Sequence, residues 1–278
     1  MEDSSPSRTA LRVARLRALH QFSPQAGLFR DPFANAILGE AALDAQELER
    51  EDEHGRRMRL FVASRARLAE DWLAAAVQRG VRQLVVLGAG LDTFSLRNPH
   101  PGLAVFEVDH PATQAWKRRR IAEAGLAEPS NVTFVPVNFE RQRLAEELAA
   151  AGHKAAGPSF FIWLGVVPYL TRDAIFATLS YIAGTPGSEV VLDYSEPAEN
   201  RNAAGQAALA FYAARVAAIG EPWISFFTPG ELAKSLIELG FDQIEDLDSG
   251  DIAGRFGRSP SGGRSNSGGH VLRARRSN

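Results

Sequence analysis

At 278 residues the chain can hold one large α/β domain with an accessory segment, and 45% hydrophobic against 23% charged residues is the balance of a globular protein. A net charge of -2 points to no nucleic-acid partner, and no apolar run approaches the roughly 20 residues of a membrane span. Zero cysteines exclude disulfides, thiolate nucleophiles and cysteine-ligated zinc; the six histidines lack the close spacing of a helical metal pair, so no metal is expected.

The opening stretch MEDSSPSRTALRVARLRALH has no signal-peptide core, because Arg8, Arg12, Arg15 and Arg17 interrupt it, and the expected location is cytoplasmic. Residues 1–80 are expected to form a helical cap or lid. Apolar positions recur at three and four residues through MRLFVASRARLAEDWLAAAV, placing Leu60, Phe61, Ser64, Leu68 and Trp72 on one face, with Gly80 as the stop.

From Gln83 the pattern becomes short apolar runs alternating with helical segments, which predicts a second region over 81–278. QLVVLG, LAVFEVD, VTFVPVN, FFIWLG and EVVLDY read as five buried strands. PATQAWKRRRIAEAG, RQRLAEELAAAG and TRDAIFATLSYIAG read as the helices between them, each closing on glycine. Such alternation predicts a parallel sheet covered by helices on both faces, with ligands at the carboxyl ends of its strands.

A helix-rich insert is expected at about 200–227, including EPWISFF, where an aromatic wall and a plain core are both open readings. In TPGELAKSLIELGF, Thr228 and Glu231 form the pattern of a capping box, with Pro229 in the first turn and Gly240 as terminator. DQIEDLD and GHVLRARR read as a final pair of strands flanking a Gly/Ser/Arg-rich stretch from Gly250 to Gly269, expected to be a loop.

The first strand runs into Gly88, Ala89 and Gly90, where missing side chains let backbone N–H groups approach a ligand. The second strand ends at Asp109, about 20 residues on, where an acid accepts hydrogen bonds from ribose hydroxyls. Glycine turn and acid together indicate a nucleoside cofactor. A dinucleotide would favour a third small residue where Thr93 stands, and Asp92 beside it suits a pyrophosphate poorly but tolerates a sulfonium and an ammonium. The turn leans toward S-adenosylmethionine over NAD.

At the third strand's end, Asn138 can bond an adenine edge with Phe139 against the ring, or merely cap the next helix. Beyond the fourth strand stand Leu164, Gly165, Pro168 and Tyr169. Phe160, Phe161 and Trp163 fit either a core or the dry wall of a methyl-transfer pocket.

With these residues in view, the sequence resembles the leucine carboxyl methyltransferase family, in its bacterial small-molecule O-methyltransferase branch. The matching pieces, in order, are VRQLVVLGAGLDTFSLR, VFEVDHPATQAWKRR, NVTFVPVNFE, FFIWLGVVPYLT, GSEVVLDY and FFTPGELAKSLIELGF, over roughly residues 55–247. The resemblance implies a class I methyltransferase fold: a Rossmann-like sheet, mostly parallel with an antiparallel closing strand, helices on both faces and a helical N-terminal cap.

It also implies S-adenosylmethionine as cofactor, released as S-adenosylhomocysteine. The family pattern sets the methionyl part against Gly88, Ala89 and Gly90, the ribose at Asp109 and the adenine at the VNFE turn. Arg65 is the best match to an arginine that holds the cofactor carboxylate, with Arg67 its neighbour and competitor; Arg97 matches a family arginine read as structural. Thr93, His110, Leu164 and Gly165 complete the candidate cofactor set. Asn138 stands where the family commonly has aspartate, and Leu164 where eukaryotic members have glutamate, which argues against methylation of a phosphatase C-terminus.

In-line methyl transfer needs a nucleophile held near attack distance in a shaped pocket. A carboxylate, with a pKa near 4, is ionised at neutral pH and needs no base, whereas a phenol near 10 does. No convincing base is visible, since His110 sits beside the cofactor acid and His153 in a loop. The expected acceptor is therefore a carboxylate or acidic hydroxyl of a small secondary metabolite, with Tyr169 and Tyr194 as candidate substrate residues or, equally, buried tyrosines. Two rival readings are an NAD-dependent oxidoreductase and a catalytically silent S-adenosylmethionine-binding interaction protein. Oligomeric state is not legible.

Overall fold

The computed structural model describes residues 7–139, 141–257 and 268–277. Seven strands make one sheet, and the chain divides into two compact units, Met1–His153 and Lys154–Asn278. Both are built by the strand and helix alternation predicted above.

The first unit opens with α1, Arg8–Gln21, started by Ser7, whose hydroxyl accepts from the Ala10 amide. A short α2, Gln46–Glu49, leads into α3, Glu53–Gln78, capped by Asp52 and terminated at Gly80, whose φ of 105° is open to glycine. Its buried face includes Val62, Leu68, Trp72 and Leu73. Leu60 and Phe61 of the predicted stripe are only half-buried, and Val62 and Ala69 take the inward positions.

Strand β1, Gln83–Leu87, pairs in parallel with β2, Ala104–Asp109, which pairs in parallel with β3, Val132–Pro136. The connections are α4, Phe94–Arg97, and α5, Pro111–Glu123; α6, Leu144–Ala150, follows β3. Residues 7–80 and these strands belong to one compact unit.

In the second unit β4, Ser159–Trp163, is followed by α7, Arg172–Ala183, and pairs in parallel with β5, Glu189–Ser195. Every residue of β4 and β5 is buried, as continuous apolar runs require when both faces are covered. The insert forms α8, Ala203–Ala217, started by Asn202. Then come α9, Pro229–Glu238, β6, Gln243–Leu247, α10, Ser249–Arg255, and β7, Gly269–Arg275. β7 lies between β5 and β6 and runs antiparallel to both, which supplies the closing antiparallel strand.

Gly184 caps α7 as expected, with φ -63°, and Gly187, with φ 75°, follows before β5. Two local expectations change. At α9 the Thr228 hydroxyl accepts from the Glu231 amide as predicted, but the Glu231 carboxylate pairs with Arg172. A long-range cation there draws the side chain that a capping box would have used. The stretch expected to be a loop from Gly250 begins as helix α10, because Asp248 and Asp251 form a reciprocal capping box; its residues 258–267 lie outside the described residues.

Candidate cofactor site

In the first unit the carboxyl ends of the three parallel strands are tied together. Gly88 and Gly90 have φ of 64° and 50°, a left-handed geometry that favours glycine. The Ala89 amide donates to the Val108 carbonyl at 3.0 Å, and the Asp92 amide closes the turn on the Ala89 carbonyl at 2.8 Å.

Asp109 is the centre of this arrangement. One carboxylate oxygen accepts from the Gly90 amide at 2.5 Å and the other from the His110 amide at 2.6 Å. Its own carbonyl accepts from Val137 at 2.8 Å, so it also anchors the exit of β3. A carboxylate has about four lone-pair sites, so two remain for further donors. Burial lifts its pKa to about 6 against the pull of the Gly90 and His110 amides and Lys117, leaving it mostly ionised at pH 7.

Behind Asp109, Glu107 of β2 and Lys117 of α5 form a fully buried ion pair. Its two charges offset each other in a dry place where either alone would be costly. His110 starts α5, its Nδ1 accepting from the Ala112 amide at 3.3 Å. Its contribution to the turn is therefore a backbone donor and a helix cap.

The Asn138 carbonyl accepts from the amides of Arg141 and Gln142, making a turn, while Arg143 occupies the N-cap position of α6. Asn138 is thus not the cap of that helix, and both it and Phe139 are half-buried at the end of β3. Arg65 is buried on α3, with its guanidinium 5.8 Å from the Phe61 ring centre. Its competitor Arg67 is exposed and holds Asp71 at 2.8 Å.

Thr93 is fully buried, and its hydroxyl donates to Asp31 at 2.6 Å while accepting from Arg17 at 3.2 Å. Asp92 meets Arg17 at 2.5 Å. Burial opposes ionisation of Asp92, yet Arg17, Arg97 and Lys117 outweigh it and hold the pKa at about 2. Its negative charge is therefore already matched by an arginine, which the sequence reading of the turn did not include. Arg97 forms a two-pronged pair with Glu70 at 2.5 and 2.7 Å.

The second unit repeats the first pairing. Gly165, with φ 75°, follows β4 and Leu164, and its amide donates to Asp193 of β5 at 2.5 Å. Acid and glycine again clip neighbouring parallel strands at their carboxyl ends. Asp193, in LDY, escaped the sequence reading, although its place near a strand end mirrors that of Asp109 in EVD.

Tyr169 is half-buried, 6.4 Å from Trp223 ring to ring in an edge contact. The EPWISFF segment is pinned beside it, with the Ile224 amide donating to the Pro168 carbonyl at 2.7 Å and the Ser225 hydroxyl to the Leu170 carbonyl at 2.5 Å. Both readings of that segment find a place: Phe227 is core, and Ile224 is half exposed at 51%. Phe160, Phe161 and Trp163 are all core.

Tyr194 is buried, and its hydroxyl donates to Asp246 at 2.5 Å. It is the buried tyrosine with a satisfied hydroxyl of the two sequence readings. Its ring stacks on His270, which bridges Asp246 at 3.0 Å and Glu196 at 2.9 Å.

Residues 10–183 match the leucine carboxyl methyltransferase family. The chain belongs to this family. The match starts inside α1, earlier than the motifs indicated, and ends with α7, so GSEVVLDY and FFTPGELAKSLIELGF lie beyond it. A Bacillus subtilis relative, YktD, whose name marks it as a candidate S-adenosyl-L-methionine-dependent methyltransferase, is 36% identical over 197 residues, covering 69% of this chain and 64% of its own. A Streptomyces coelicolor relative with the same description is 40% identical over 181 residues, 63% of each chain. The matched stretch spans just under two thirds of these relatives.

Among solved structures, a candidate methyltransferase from Thermobifida fusca superposes with a TM-score of 0.57 at 17% identity, covering 92% of this chain and 99% of that one. A family protein from Streptomyces avermitilis, of the group called DUF574, reaches 0.54 at 16% identity, covering 95% and 99%. These likenesses speak for the fold. Among the described residues no group of side chains is arranged to hold a metal ion, and no helix is long and apolar enough to cross a membrane.

Proposed function

We propose that the protein is an S-adenosylmethionine-dependent methyltransferase that transfers a methyl group to a carboxylate or acidic hydroxyl of a small molecule, releasing S-adenosylhomocysteine. The observation that carries this reading is the Asp109 carboxylate, clipped to the Gly90 amide at the carboxyl ends of β1 and β2 in a chain of this family. Two lone-pair sites of Asp109 remain for ribose hydroxyls, and left-handed Gly88 and Gly90 present backbone where a Cβ would intrude. These residues fit the cofactor.

When bound, the cofactor supplies an electrophilic methyl group on a sulfonium. The chain's part is to bind, orient and exclude water. Asp109 takes the ribose, Gly88 to Gly90 the methionyl backbone, Arg65 the carboxylate through its two-pronged donors, and Asn138 with Phe139 the adenine. In the second unit Leu164 and Gly165 stay assigned to the cofactor, and Tyr169, with the EPWISFF segment pinned beside it, to the acceptor. Tyr194 keeps only a supporting part, through the wall it builds with His270.

A carboxylate acceptor is supported by how the histidines are used. His110 caps a helix, His153 lies edge-on to Phe106 with its pKa lowered by burial, and His270 is bridged by two acids. An acceptor already ionised at neutral pH needs none of them as a base.

The test is calorimetric titration with S-adenosylmethionine, S-adenosylhomocysteine and NAD, repeated on Asp109→Ala. The expected result is binding of the first two and its loss in the variant. Binding of NAD alone, or of none, overturns the proposal. Binding followed by no turnover across a panel of small carboxylic acids and acidic phenols would leave a silent binding protein.

A further inference from the structure

Around the back of the glycine turn lies a set of buried and half-buried charges that draws on five separate parts of the first unit. Arg17 comes from α1, Asp31 from the loop after it, Glu70 from α3, Asp92 and Thr93 from the turn itself, and Arg97 from α4. Arg17 reaches Asp92 at 2.5 Å, Asp31 at 2.7 Å and Thr93 at 3.2 Å. Thr93 returns a bond to Asp31, and Arg97 holds Glu70 and lies 3.7 Å from Asp31. Both guanidinium groups stand over the Phe29 ring, at 5.4 and 4.9 Å.

Two cations against three acids leave this set one negative charge in excess. Arg17 is the member that joins the N-terminal helix to the turn, since its fork bridges Asp31 on one side and Asp92 on the other. Asp92 in turn fixes the chain that leaves Gly90: its amide bonds Ala89 and its carboxylate accepts from the Phe94 amide at 2.6 Å.

Two more contacts seat the same helix on the same turn. A Cβ at Gly90 would lie 3.1 Å from the Ala10 side chain of α1, so only glycine there admits the helix at this distance without a shift. The Ser7 amide donates to Thr113 of α5, four residues beyond Asp109, at 3.2 Å. Helix α1 is thus held against both sides of the Gly90 to Asp109 clip.

We propose that Arg17 is a positioning residue for the cofactor turn: by docking α1 onto Asp92, it holds Gly88 to Gly90 in the shape that binds the cofactor. This rests on the S-adenosylmethionine reading, and it makes the N-terminal helix part of cofactor binding as well as a cover. Arg17 acts on the turn through Asp92.

The experiment uses the full chain and the variants Arg17→Met and Arg17→Lys, with two readouts. Amide hydrogen exchange of the ligand-free proteins compares Ala89, Gly90 and Asp92 with the strand amides of Val85 and Phe106. Calorimetry measures S-adenosylhomocysteine affinity. In Arg17→Met the turn amides should lose protection at least tenfold beyond any loss in the strands, and affinity should fall at least tenfold. Arg17→Lys, keeping the charge but not the fork, should recover part of both.

Turn amides that change only in step with the strands, or affinity within twofold of the unchanged protein, overturn the proposal. If Arg17→Met does not fold, the same comparison on Arg17→Lys decides it. If the unchanged protein binds no S-adenosylhomocysteine, the cofactor reading fails while the exchange comparison still judges the role of Arg17 on the turn.

Discussion

Each unit holds a largely enclosed network of charges near the carboxyl ends of its strands, and the two are made with different cations. The first uses arginines, Arg17 and Arg97, against Asp31, Asp92 and Glu70. The second uses one histidine, His270, between Asp246 and Glu196, with Tyr194 donating to Asp246. An arginine stays charged at any working pH, and burial of Arg17 is outweighed by Asp92, Asp31 and Glu70, which raise its pKa further. The first network is therefore insensitive to pH across the neutral range, whereas the second joins its two acids through an imidazole whose charge depends on pH, with Arg201 beside Glu196 as its constant cation.

The widest separation between the two should come from Arg17→Met. It leaves the fully buried Asp31 short of its cation beside the half-buried Asp92, so a loss of about 3–5 kcal/mol is expected, or roughly 10 °C in Tm by scanning calorimetry. That loss should be the same at pH 6 and pH 9. Because Asp92 is held below its usual range, its share fades only as pH falls through about 4 toward 2.

Next comes His270→Phe, which keeps a ring on Tyr194 but removes the bridge between the two acids. Burial works against the imidazolium, yet Asp246 and Glu196 outweigh it and raise the pKa above its ordinary value. A raised folded value means the stabilisation is full below the unfolded pKa of about 6.5 and fades as pH rises through the folded one. Denaturant melts should therefore show a loss of about 3 kcal/mol at pH 6 and a smaller one at pH 9. Equal losses at both pH values would erase the contrast with Arg17.

Tyr194→Phe should cost less, about 1.5 kcal/mol by the same melts, since one hydrogen bond to a charged group is lost and His270 still serves Asp246. Burial, with the nearby acids Asp246 and Glu196, raises the phenol's pKa, so this effect should be flat with pH up to 9. A smaller effect still belongs to Asp109, the acid beside the first network that does titrate. With its pKa at about 6, S-adenosylhomocysteine affinity should fall about tenfold from pH 7 to pH 5 and level off above pH 7. Calorimetry at four pH values would show it, and a flat profile would remove the ribose role given to Asp109.

What the sequence made legible follows the range of the interactions. The seven strands and the Gly88 to Asp109 pairing are written in local periodicity and in one strand-to-strand step, while the antiparallel closing strand was implied by the family resemblance. The partner of Asp92 is not, since Arg17 lies 75 residues earlier and no local pattern singles it out among the arginines of its helix. The partner of Thr93, a member of the candidate cofactor set, was hidden for the same reason: its hydroxyl is claimed by Asp31, 62 residues away. Glu231 was drawn from its capping box by Arg172, also distant in sequence. Helix α10 was hidden for a different cause, because glycine and serine composition outweighed the two aspartates that start it.

The place of β7 has a bearing on synthesis. Glu189 to Ser195 of β5 pair with Arg275 to Gly269, and β6 pairs with that same strand. Until the ribosome has released residue 275, β5 carries an open edge of unpaired backbone groups and β6 has no neighbour to bond. A chain paused in the stretch after α10 therefore shows the kind of bare strand edge that other nascent chains and chaperones seize, and the second unit can close only once its last strand is in hand.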